Sequence, residues 1–368
     1  MVDLLETLVR LESPSTDKAA VDRCGEAIAD RLQELGAVVE RLHQAERGDH
    51  IRASFSGTPG APQVLLLGHF DTVWDVGQLE RMPLRIDGGR LHGPGVFDMK
   101  GGIAVAMQAV RVLRESAVQP VPRLVMLWTT DEEVGSGTSR ALIEEEAQKS
   151  AAVLVLEPSL PGGAAKTSRK ACGDFHVVVR GRSAHAGIDP GKGSNAVHEL
   201  ARQVLAIEAL QDLDRGVSVN VGIVRGGART NVIPDMAEAF VDARAPTKSD
   251  AVRVDAAMRG LEARTPGTSV HVTGGFGRPP LERSAGVIRL YEEARAAAAE
   301  LGMALGEGAT GGGSDGNFTA ALGVPTVDGL GPQGDGAHAL HEHVIVADLA
   351  WRAAFLARLV ARLGGPTR

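Results

Sequence analysis

The sequence predicts an α/β fold with a smaller α+β domain inserted into it. Three short apolar runs of strand length stop at polar residues that could bind a ligand. These runs are residues 64–68 before His69, residues 124–128 shortly before Asp131, and residues 152–156 before Glu157. Segments with helical spacing separate the runs, as in sheets of mostly parallel strands. From Gly173 the pattern changes to the order βαββαβ, which is typical of a split ferredoxin-like unit.

Length and composition limit the classes of protein that the chain can be. Its 368 residues, of which 43% are hydrophobic, are enough for about two domains. A net charge of −7 and the lack of a basic stripe with aromatic residues argue against nucleic-acid binding. No apolar run approaches the roughly 20 residues of a membrane span, and the first residues lack a signal-peptide pattern. Since Cys24 and Cys172 have no metal-ligand spacing, we expect a cytoplasmic protein without a disulfide framework.

Each predicted element follows from the hydrophobic period and the flanking turn residues. Helices are predicted at residues 3–12, 17–36, 103–113, 139–148, 195–210, 249–264, 284–301 and 348–363. Strands are predicted at residues 38–42, 51–55, 64–68, 124–128, 152–156, 174–181, 217–224, 236–244, 269–273 and 323–328. Residues 1–172 and 281–368 then form the first domain, and residues 173–280 form the inserted one.

The chain is organised around an acidic turn after the strand at 124–128. Asp131, Glu132 and Glu133 are consecutive, and Gly135 follows them. In α/β sheets, ligands bind beyond the carboxyl ends of the strands. Three adjacent acids repel one another there unless a cation neutralises them. A solvated acidic turn is the alternative interpretation of this stretch alone.

Two further acids and a histidine fit the same kind of site. His69 and Asp71 are two residues apart at a strand end, so their side chains point the same way. A carboxylate behind a metal-binding histidine fixes its tautomer. Asp98 follows the glycine-rich stretch that begins at Gly93 and precedes the helix at 103–113. The alternatives are a histidine with an ordinary hydrogen-bond partner and a helix N-cap.

Together these residues suit a catalytic site with two zinc-type ions. The five candidate ligands are His69, Asp98, Glu133, Glu157 and His338. If Asp98 bridges, each ion has one histidine, one private carboxylate and a share of Asp98. Two dications and three carboxylates leave one positive charge, which a bridging hydroxide would balance. That hydroxide would be the nucleophile, and Glu132 would be its general base.

Eight stretches in order show that the whole chain resembles the M20 metallopeptidase family, above all its glutamate carboxypeptidases. The stretches are His69-Phe-Asp71-Thr-Val, Gly93-Pro-Gly-Val-Phe-Asp98-Met-Lys-Gly-Gly, Asp131-Glu-Glu-Val-Gly-Ser, Leu156-Glu157-Pro-Ser, Ser183-Ala-His185-Ala-Gly, Asn231-Val-Ile-Pro, Thr310-Gly-Gly-Gly-Ser-Asp and Gly336-Ala-His338. The resemblance implies a zinc-peptidase-like α/β/α catalytic domain with an inserted ferredoxin-like lid and dimerisation domain.

The resemblance also implies a role for each site residue. It makes Asp98 the bridging ligand, places His69 with Glu157 on one zinc ion, and places Glu133 with His338 on the other. Glu132 becomes the general base and Asp71 the partner of His69. A cis peptide bond is expected after Asp98.

For the inserted domain, the resemblance implies residues that contact the substrate. His185 corresponds to a histidine that stabilises the tetrahedral oxyanion and that several relatives supply from the partner subunit. A homodimer through the inserted domain is therefore expected. Asn231, Arg244 and Arg278 match positions that bind the carboxylate end of the substrate, and bidentate geometry suits arginine to that task. Surface salt bridges are the alternative for the two arginines.

The expected function is zinc-dependent hydrolysis of a peptide or amide bond that releases a C-terminal amino acid, with glutamate as the expected residue. The substrate would be a small peptide or an N-acyl amino acid. The alternative within the family is an N-acyl-amino-acid deacylase, such as an acetylornithine deacetylase or an aminoacylase-like amidohydrolase. Cobalt or manganese could replace zinc. His341 and His343 are alternatives to His338 as the ligand.

Two rival classes of protein fit part of the pattern. A serine hydrolase would use Ser314 within Gly312-Gly-Ser314-Asp-Gly316, followed by Asp328 and His338. The buried strand that should precede such a nucleophile is not predicted at residues 306–312. A metal-free binding protein would lack the base or a ligand, whereas this chain has all of them.

Overall fold

The computed structural model describes residues 1–116 and 121–365. The chain divides into two compact units, which are described separately. The first unit comprises Met1–Ser168, Arg283–Thr310 and Ser314–Arg368, and the inserted unit comprises Arg169–Glu282 and Gly311–Gly313. The sequence-based domain boundaries lie at 172/173 and 280/281. The sequence-based boundaries assign Gly311–Gly313 to the first domain, whereas in the structure these three residues belong to the inserted unit.

The α-helices among the described residues are numbered along the chain. They are α1 (Val2–Arg10), α2 (Lys18–Glu34), α3 (Gly101–Glu115), α4 (Arg140–Gln148), α5 (Ala196–Glu208), α6 (Lys248–Arg259), α7 (Ala285–Glu300), α8 (Gly316–Ala321) and α9 (Val346–Leu363). Four of them begin at a side-chain cap, in which an oxygen accepts from a backbone N–H of the first turn. The capping residues are Asp17, Asn195, Thr247 and Ser284.

The β-strands are numbered in the same way. They are β1 (Val38–Leu42), β2 (His50–Phe55), β3 (Gln63–His69), β4 (Arg85–Asp87), β5 (Arg90–His92), β6 (Arg123–Thr129), β7 (Ala152–Val155), β8 (Ala165–Arg169), β9 (Ala171–Arg180), β10 (Ala184–His185), β11 (Ser218–Gly226), β12 (Val232–Ile233), β13 (Met236–Ala245), β14 (Ser269–Arg278), β15 (Glu307–Thr310), β16 (Thr326–Val327), β17 (Gly334–Asp335) and β18 (His343–Ile345).

The first unit is built on a sheet with the strand order β1-β2-β6-β3-β7-β16. Strands β6, β3, β7 and β16 are parallel, and β1 and β2 pair antiparallel at one edge. Apolar side chains of the sheet pack against helices such as α3 and α9, with Trp128 and Phe355 fully buried. Since the parallel strands run in one direction, their carboxyl ends lie at the same edge of the sheet.

The inserted unit is an antiparallel sheet with the order β11-β13-β9-β14 and helices α5 and α6. Its chain order is β9-α5-β11-β13-α6-β14, which is the βαββαβ order predicted from the sequence. One face of the sheet is buried against the two helices, with Val177, Leu200 and Val254 in the core. The α/β fold class is therefore confirmed.

The structure corrects several predicted bounds. Helix α6 ends at Arg259 rather than near 264, since Gly260 follows it, and β14 continues to Arg278 rather than ending at 273. The strand predicted at 323–328 is reduced to Thr326–Val327. A strand was not predicted at residues 306–312, but β15 lies there and pairs with β8. A membrane-spanning helix is not found among the described residues, because none is both long and apolar enough.

Candidate metal centre

The carboxyl ends of three parallel strands carry the predicted ligands. His69 is the last residue of β3, the short 3₁₀ turn Glu132–Val134 follows β6, and Glu157 lies just beyond β7. His69 is 1% exposed and Glu157 is 7% exposed. The sheet therefore fixes the backbone from which these side chains project, and His69 and Glu157 are shielded from bulk water.

Asp98 reaches the same edge from an irregular turn between β5 and α3. The turn is a single π-helical turn, Val96–Lys100, with non-helical dihedral angles at Asp98 and Met99. The peptide bond between these two residues is cis, as the resemblance implies. Gly95 precedes the turn with φ of +70°, and a Cβ there would lie 2.5 Å from Thr72 Cγ2. A residue with a side chain would therefore be strained at this position.

The two carboxylate oxygens of Asp98 face two different histidines. Asp98 Oδ1 lies 3.4 Å from His69 Nε2, and Oδ2 lies 3.3 Å from His338 Nε2. Each histidine also has a carboxylate of its own. His69 Nε2 lies 3.4 Å from Glu157 Oε1, and His338 Nε2 lies 3.1 Å from Glu133 Oε2. The arrangement is that of one shared acid between two histidine–carboxylate pairs.

Asp71 holds His69 from the opposite side of the ring. His69 Nδ1 lies 3.0 Å from the Asp71 carbonyl oxygen and 3.3 Å from Asp71 Oδ1. Asp71 is fully buried, and it also accepts hydrogen bonds from the Ser15 hydroxyl and from the backbone N–H groups of Glu132 and Glu133. If Nδ1 carries the proton, the lone pair of Nε2 is directed at Asp98 and Glu157.

The acids of the cluster favour positive charge on both histidines. Hydrogen bonds with Asp98 and then Glu133 raise the pKa of His338 to about 10. Burial lowers the pKa of His69, but its hydrogen bonds with Asp71, Asp98 and Glu157 raise it well above its ordinary value. Burial raises the pKa of Asp98, but the two imidazoles outweigh that effect and lower it. Burial raises the pKa of Glu133, against the opposing effect of His338.

The donor set fits divalent metal ions. Imidazole nitrogen and carboxylate oxygen are the ligands of many catalytic zinc sites. Ligand atoms of His69, Asp98 and Glu133 all lie within 4.8 Å of one another. Glu157 beside His69, and His338 beside Asp98 and Glu133, each provide one further ligand. The residues present therefore suit two ions rather than one.

The three candidate histidines of the last loop lie in different environments. His338 is the one beside Asp98 and Glu133, and its φ of 60° places it in the left-handed region. His343 belongs to β18, where its ring lies 5.2 Å from that of His92. Its Nδ1 is hydrogen bonded to the carbonyl oxygen of His341, which is exposed.

The geometry does not support a serine hydrolase. Ser314 is fully buried, and its hydroxyl donates to Asp328 Oδ2 at 2.6 Å. His338, which would be the base, lies in the acidic cluster instead. Although the strand β15 precedes the glycine run, it is a short strand of a two-stranded sheet rather than part of the central sheet.

In the inserted unit, the structure brings His185 and Asn231 together. The short strands β10 and β12 pair, and the Ala186 N–H donates to the Asn231 carbonyl oxygen at 2.9 Å. His185 is exposed, and its Nδ1 accepts hydrogen bonds from the N–H groups of Gly187 and Ile188, both at 3.1 Å. These two donors require an unprotonated Nδ1. The neutral ring must then carry its proton on Nε2, from which it can donate a hydrogen bond.

Arg244 and Arg278 lie in one row across the inserted sheet. Each is the cross-strand neighbour of Cys172 on β9. The Arg244 guanidinium donates to both oxygens of Asp242, at 3.0 and 2.6 Å, and also to the Cys172 sulfur. Arg278 is 9% exposed. The guanidinium of Arg244 is therefore already paired with a carboxylate of its own strand.

Two side chains that contact the site were not predicted. Ser15 donates to Asp71 at 2.7 Å from the segment that precedes α2. Glu342 is 1% exposed and accepts hydrogen bonds from the turn that carries Asp98. Burial raises the pKa of Glu342 to about 7, although these hydrogen bonds oppose the shift. The one sequence signal for Glu342 is its position between His341 and His343, which does not indicate burial.

Comparison with known proteins gives a family for this arrangement. The model of the family described as "Peptidase family M20/M25/M40" matches residues 65–362. The matched range contains every candidate ligand, the candidate base, His185 and the three candidate substrate-binding residues. It covers more than half of the chain and includes residues of both units.

Individual proteins are similar over nearly the full length. Carboxypeptidase G2 from Pseudomonas sp. (strain RS-16) is 35% identical over 375 residues, covering 99% of this chain and 89% of that protein. Succinyl-diaminopimelate desuccinylase from Paracidovorax citrulli is 30% identical over 373 residues, covering 94% of this chain and 93% of that protein. Among solved structures, aminopeptidase PepT from Bacillus cereus has a TM-score of 0.83 at 22% identity, covering 99% and 98% of the two chains.

Proposed function

Because the chain belongs to the peptidase family M20/M25/M40, we propose that it hydrolyses an amide bond with two bound zinc ions and releases a C-terminal glutamate. The observation that carries this proposal is the placement of Asp98. Its two oxygens face His69 and His338, at 3.4 and 3.3 Å. A carboxylate in that position suits a bridge between two ions.

The residues that would hold the ions follow from the contacts. His69 and Glu157 would hold one ion, His338 and Glu133 the other, and Asp98 would bind both. When bound, the ions would lower the pKa of water and polarise the carbonyl of the amide. Asp71 would keep His69 in the tautomer that presents Nε2.

Glu132 is the residue that we assign to proton transfer. Its backbone is fixed by the hydrogen bond from its N–H to Asp71 Oδ1, at 3.3 Å. It begins the 3₁₀ turn that also carries Glu133, so it lies beside the ligand cluster. As general base, it would accept a proton from the attacking water and donate it to the leaving amine.

Release of a C-terminal residue is supported by two neighbouring arginines of the inserted unit, Arg244 and Arg278, and by similarity to carboxypeptidase G2. Arg278, Arg244 and Asn231 would bind the carboxylate end of the substrate. Arginine can hold a carboxylate through two parallel hydrogen bonds. Glutamate offers two carboxylates, which matches the two arginines that flank Cys172.

The second candidate function is removal of an acyl group from an N-acyl amino acid. The 30% identity to a succinyl-diaminopimelate desuccinylase over 94% of this chain favours it. The same residues would carry out the same amide hydrolysis, and the difference would lie in which side of the substrate the arginines bind.

A substrate panel after metal removal tests the proposed function. We expect chelation to abolish hydrolysis and zinc to restore it, because both the nucleophile and the polarised carbonyl depend on the ions. The panel contains a peptidyl- or N-acyl-glutamate, the matching alanine and lysine compounds, N-acetylornithine and N-succinyl-diaminopimelate. Initial rates should be highest on the glutamate compound.

Two results of the panel would contradict the proposal in different ways. Zinc-restored preference for N-acetylornithine or the succinyl compound would support the deacylase candidate instead. Full hydrolysis by protein that metal analysis shows to be free of ions would exclude the metal-dependent mechanism.

Substitution of His185 tests the proposed oxyanion contact. His185→Asn removes the Nε2–H donor, and we expect kcat to fall by about 10²–10³ while KM changes less, as for other oxyanion donors. His198→Asn changes an exposed histidine of the same unit and is the matched control. Equal effects of the two substitutions on kcat would argue against a role for His185.

A homodimer through the inserted unit is part of the same proposal. Strand β11 is an edge strand on which Ile223 and Val224 are 48% and 56% exposed, and exposed edge strands can pair with a second chain.

Co-expression of His185→Asn with Glu132→Gln tests whether His185 acts across the dimer. If it does, activity should return to about a quarter of the wild-type value. The reason is that half of the dimers contain one copy of each variant, and each such dimer has one intact site. Activity that stays at the level of the single variants would place His185 in its own subunit, and a monomeric mass in light scattering would contradict the dimer.

A further inference from the structure

Glu342 is a buried carboxylate next to the candidate metal centre that the proposed chemistry does not use. It lies four residues after His338 and is 1% exposed. Its segment connects that candidate ligand to β18. A carboxylate is costly to bury unless several donors satisfy its oxygens. The contacts of Glu342 therefore indicate what the residue does.

Four N–H groups donate to Glu342, two to each oxygen. The Trp74 indole and the Gly95 backbone donate to Oε2, at 2.9 and 3.1 Å. The backbones of Phe97 and Asp98 donate to Oε1, at 2.9 and 3.1 Å. Three of the four donors are consecutive or nearly consecutive backbone groups of the turn that carries Asp98. Such a turn forms an anion-binding concavity, and here the side chain of Glu342 fills it.

The hydrogen bonds of Glu342 connect the segment 338–342 to the turn that carries Asp98. These two segments must be correctly placed relative to each other if Asp98 is to bind two ions. The segment 338–342 supplies His338, which faces Asp98 Oδ2, and Glu342, which binds the Asp98 backbone N–H. The backbone of Asp98 has φ and ψ of −113° and 96°, so no helical hydrogen bond determines its orientation. The carboxylate of Glu342 is an acceptor for both the N–H of Asp98 and that of the residue before it.

We propose that Glu342 is a positioning residue, which orients the Asp98 turn so that the two carboxylate oxygens of Asp98 reach two different ions. The inference rests on the proposed two-ion site. Hydrogen-bond partners behind metal ligands commonly change metal affinity or activity by 10–100-fold when they are removed. A residue with a merely structural role would instead lower stability without changing how the ions are bound.

Glu342→Gln is the substitution that tests this inference. The amide keeps the shape of the side chain, but it presents one oxygen and one N–H₂ group to four donors. We expect cobalt titration, followed by the visible absorption of Co²⁺, to show a 10–100-fold weaker second binding event and an altered spectrum. In the zinc-loaded enzyme, kcat should fall by a similar factor with little change in KM.

Glu146→Gln is the matched control. Glu146 is 5% exposed in the same unit and accepts hydrogen bonds from Arg52 and Lys149, at 2.8 and 2.9 Å. Its replacement should lower the thermal midpoint and leave the cobalt spectrum unchanged.

Trp74→Phe removes one of the four donors to Glu342 and provides a milder variant if Glu342→Gln does not fold. It should weaken the second cobalt-binding event by a few-fold.

The outcomes distinguish this inference from the proposed function. The positioning role would be overturned if Glu342→Gln has the wild-type cobalt spectrum, cobalt stoichiometry and kcat. If only Trp74→Phe folds, wild-type cobalt binding in that variant would overturn the role as well. Wild-type protein that binds no cobalt would instead overturn the two-ion site on which the inference rests. The positioning role would be supported if the second cobalt ion binds more weakly to Glu342→Gln and as tightly as in the wild type to Glu146→Gln.

Discussion

Glu132→Gln is expected to lower kcat by about 10²–10⁴-fold while both metal ions stay bound. The amide has nearly the shape of the carboxylate, so the 3₁₀ turn Glu132–Val134 and its hydrogen bonds to Asp71 should persist. The amide oxygen cannot accept the proton of the attacking water, and the leaving amine then has no donor. Single-turnover rates and metal analysis of the same preparation measure the two properties together.

Glu145→Gln is the control for this substitution. Glu145 is an exposed residue of α4 that pairs with Lys149, and the variant changes the net charge by the same amount. It should have wild-type activity. Loss of a metal ion in Glu132→Gln would mean that Glu132 is a ligand rather than the base. Wild-type turnover in that variant would remove it from the mechanism.

The acidic turn shows how folding gives different contacts to adjacent acids that are chemically alike. Asp131, Glu132 and Glu133 are chemically alike and consecutive, and their spacing on a chain of unknown conformation is uninformative. In the structure, Asp131 accepts hydrogen bonds from the Thr138 N–H and hydroxyl, whereas Glu133 faces His338. The 3₁₀ turn rotates successive side chains away from one another. The different contacts of Asp131 and Glu133 follow from that local rotation.

Much of the fold follows from hydrophobic period, because a buried parallel strand or an amphipathic helix has a pattern of its own. The strands β3 and β6 and the helix α9 lie close to the predicted bounds. Short strands such as β8 and β15 carry no such pattern, since they form only by pairing with each other across a long sequence separation. The return of Gly311–Gly313 to the inserted unit depends on tertiary hydrogen bonds, in which Arg169 donates to the carbonyl oxygens of Gly312 and Gly313.

The residues of the candidate site that directly follow a recognisable strand could be predicted from the sequence. His69 and Glu157 lie at strand ends, where α/β folds place ligand-binding groups. Glu342 and Ser15 could not be predicted from the sequence, because neither follows a recognisable strand. Their contacts are to a backbone turn and to a buried carboxylate whose positions depend on the folded chain. An acid in a histidine-rich loop has the same local sequence whether it is exposed or buried.

Asp98→Asn is expected to remove the second ion and to lower kcat by at least about 10³-fold, equivalent to about 4 kcal/mol of transition-state stabilisation. The amide keeps one oxygen toward one histidine, but its N–H₂ group faces the other and cannot bind a cation. One full negative charge is also lost between two dications. Metal analysis after dialysis should give one ion or fewer for each chain.

Asp87→Asn, at the exposed end of β4, controls for the loss of charge and should keep both ions. Two ions and high turnover in Asp98→Asn would contradict the bridging role. The comparison with Glu132→Gln then separates the two steps of the chemistry. Both variants should be nearly inactive, but the one without its base should keep two ions and the one without its bridge should not. An acid that assembles the metal site and an acid that transfers the proton are thereby distinguished by metal content.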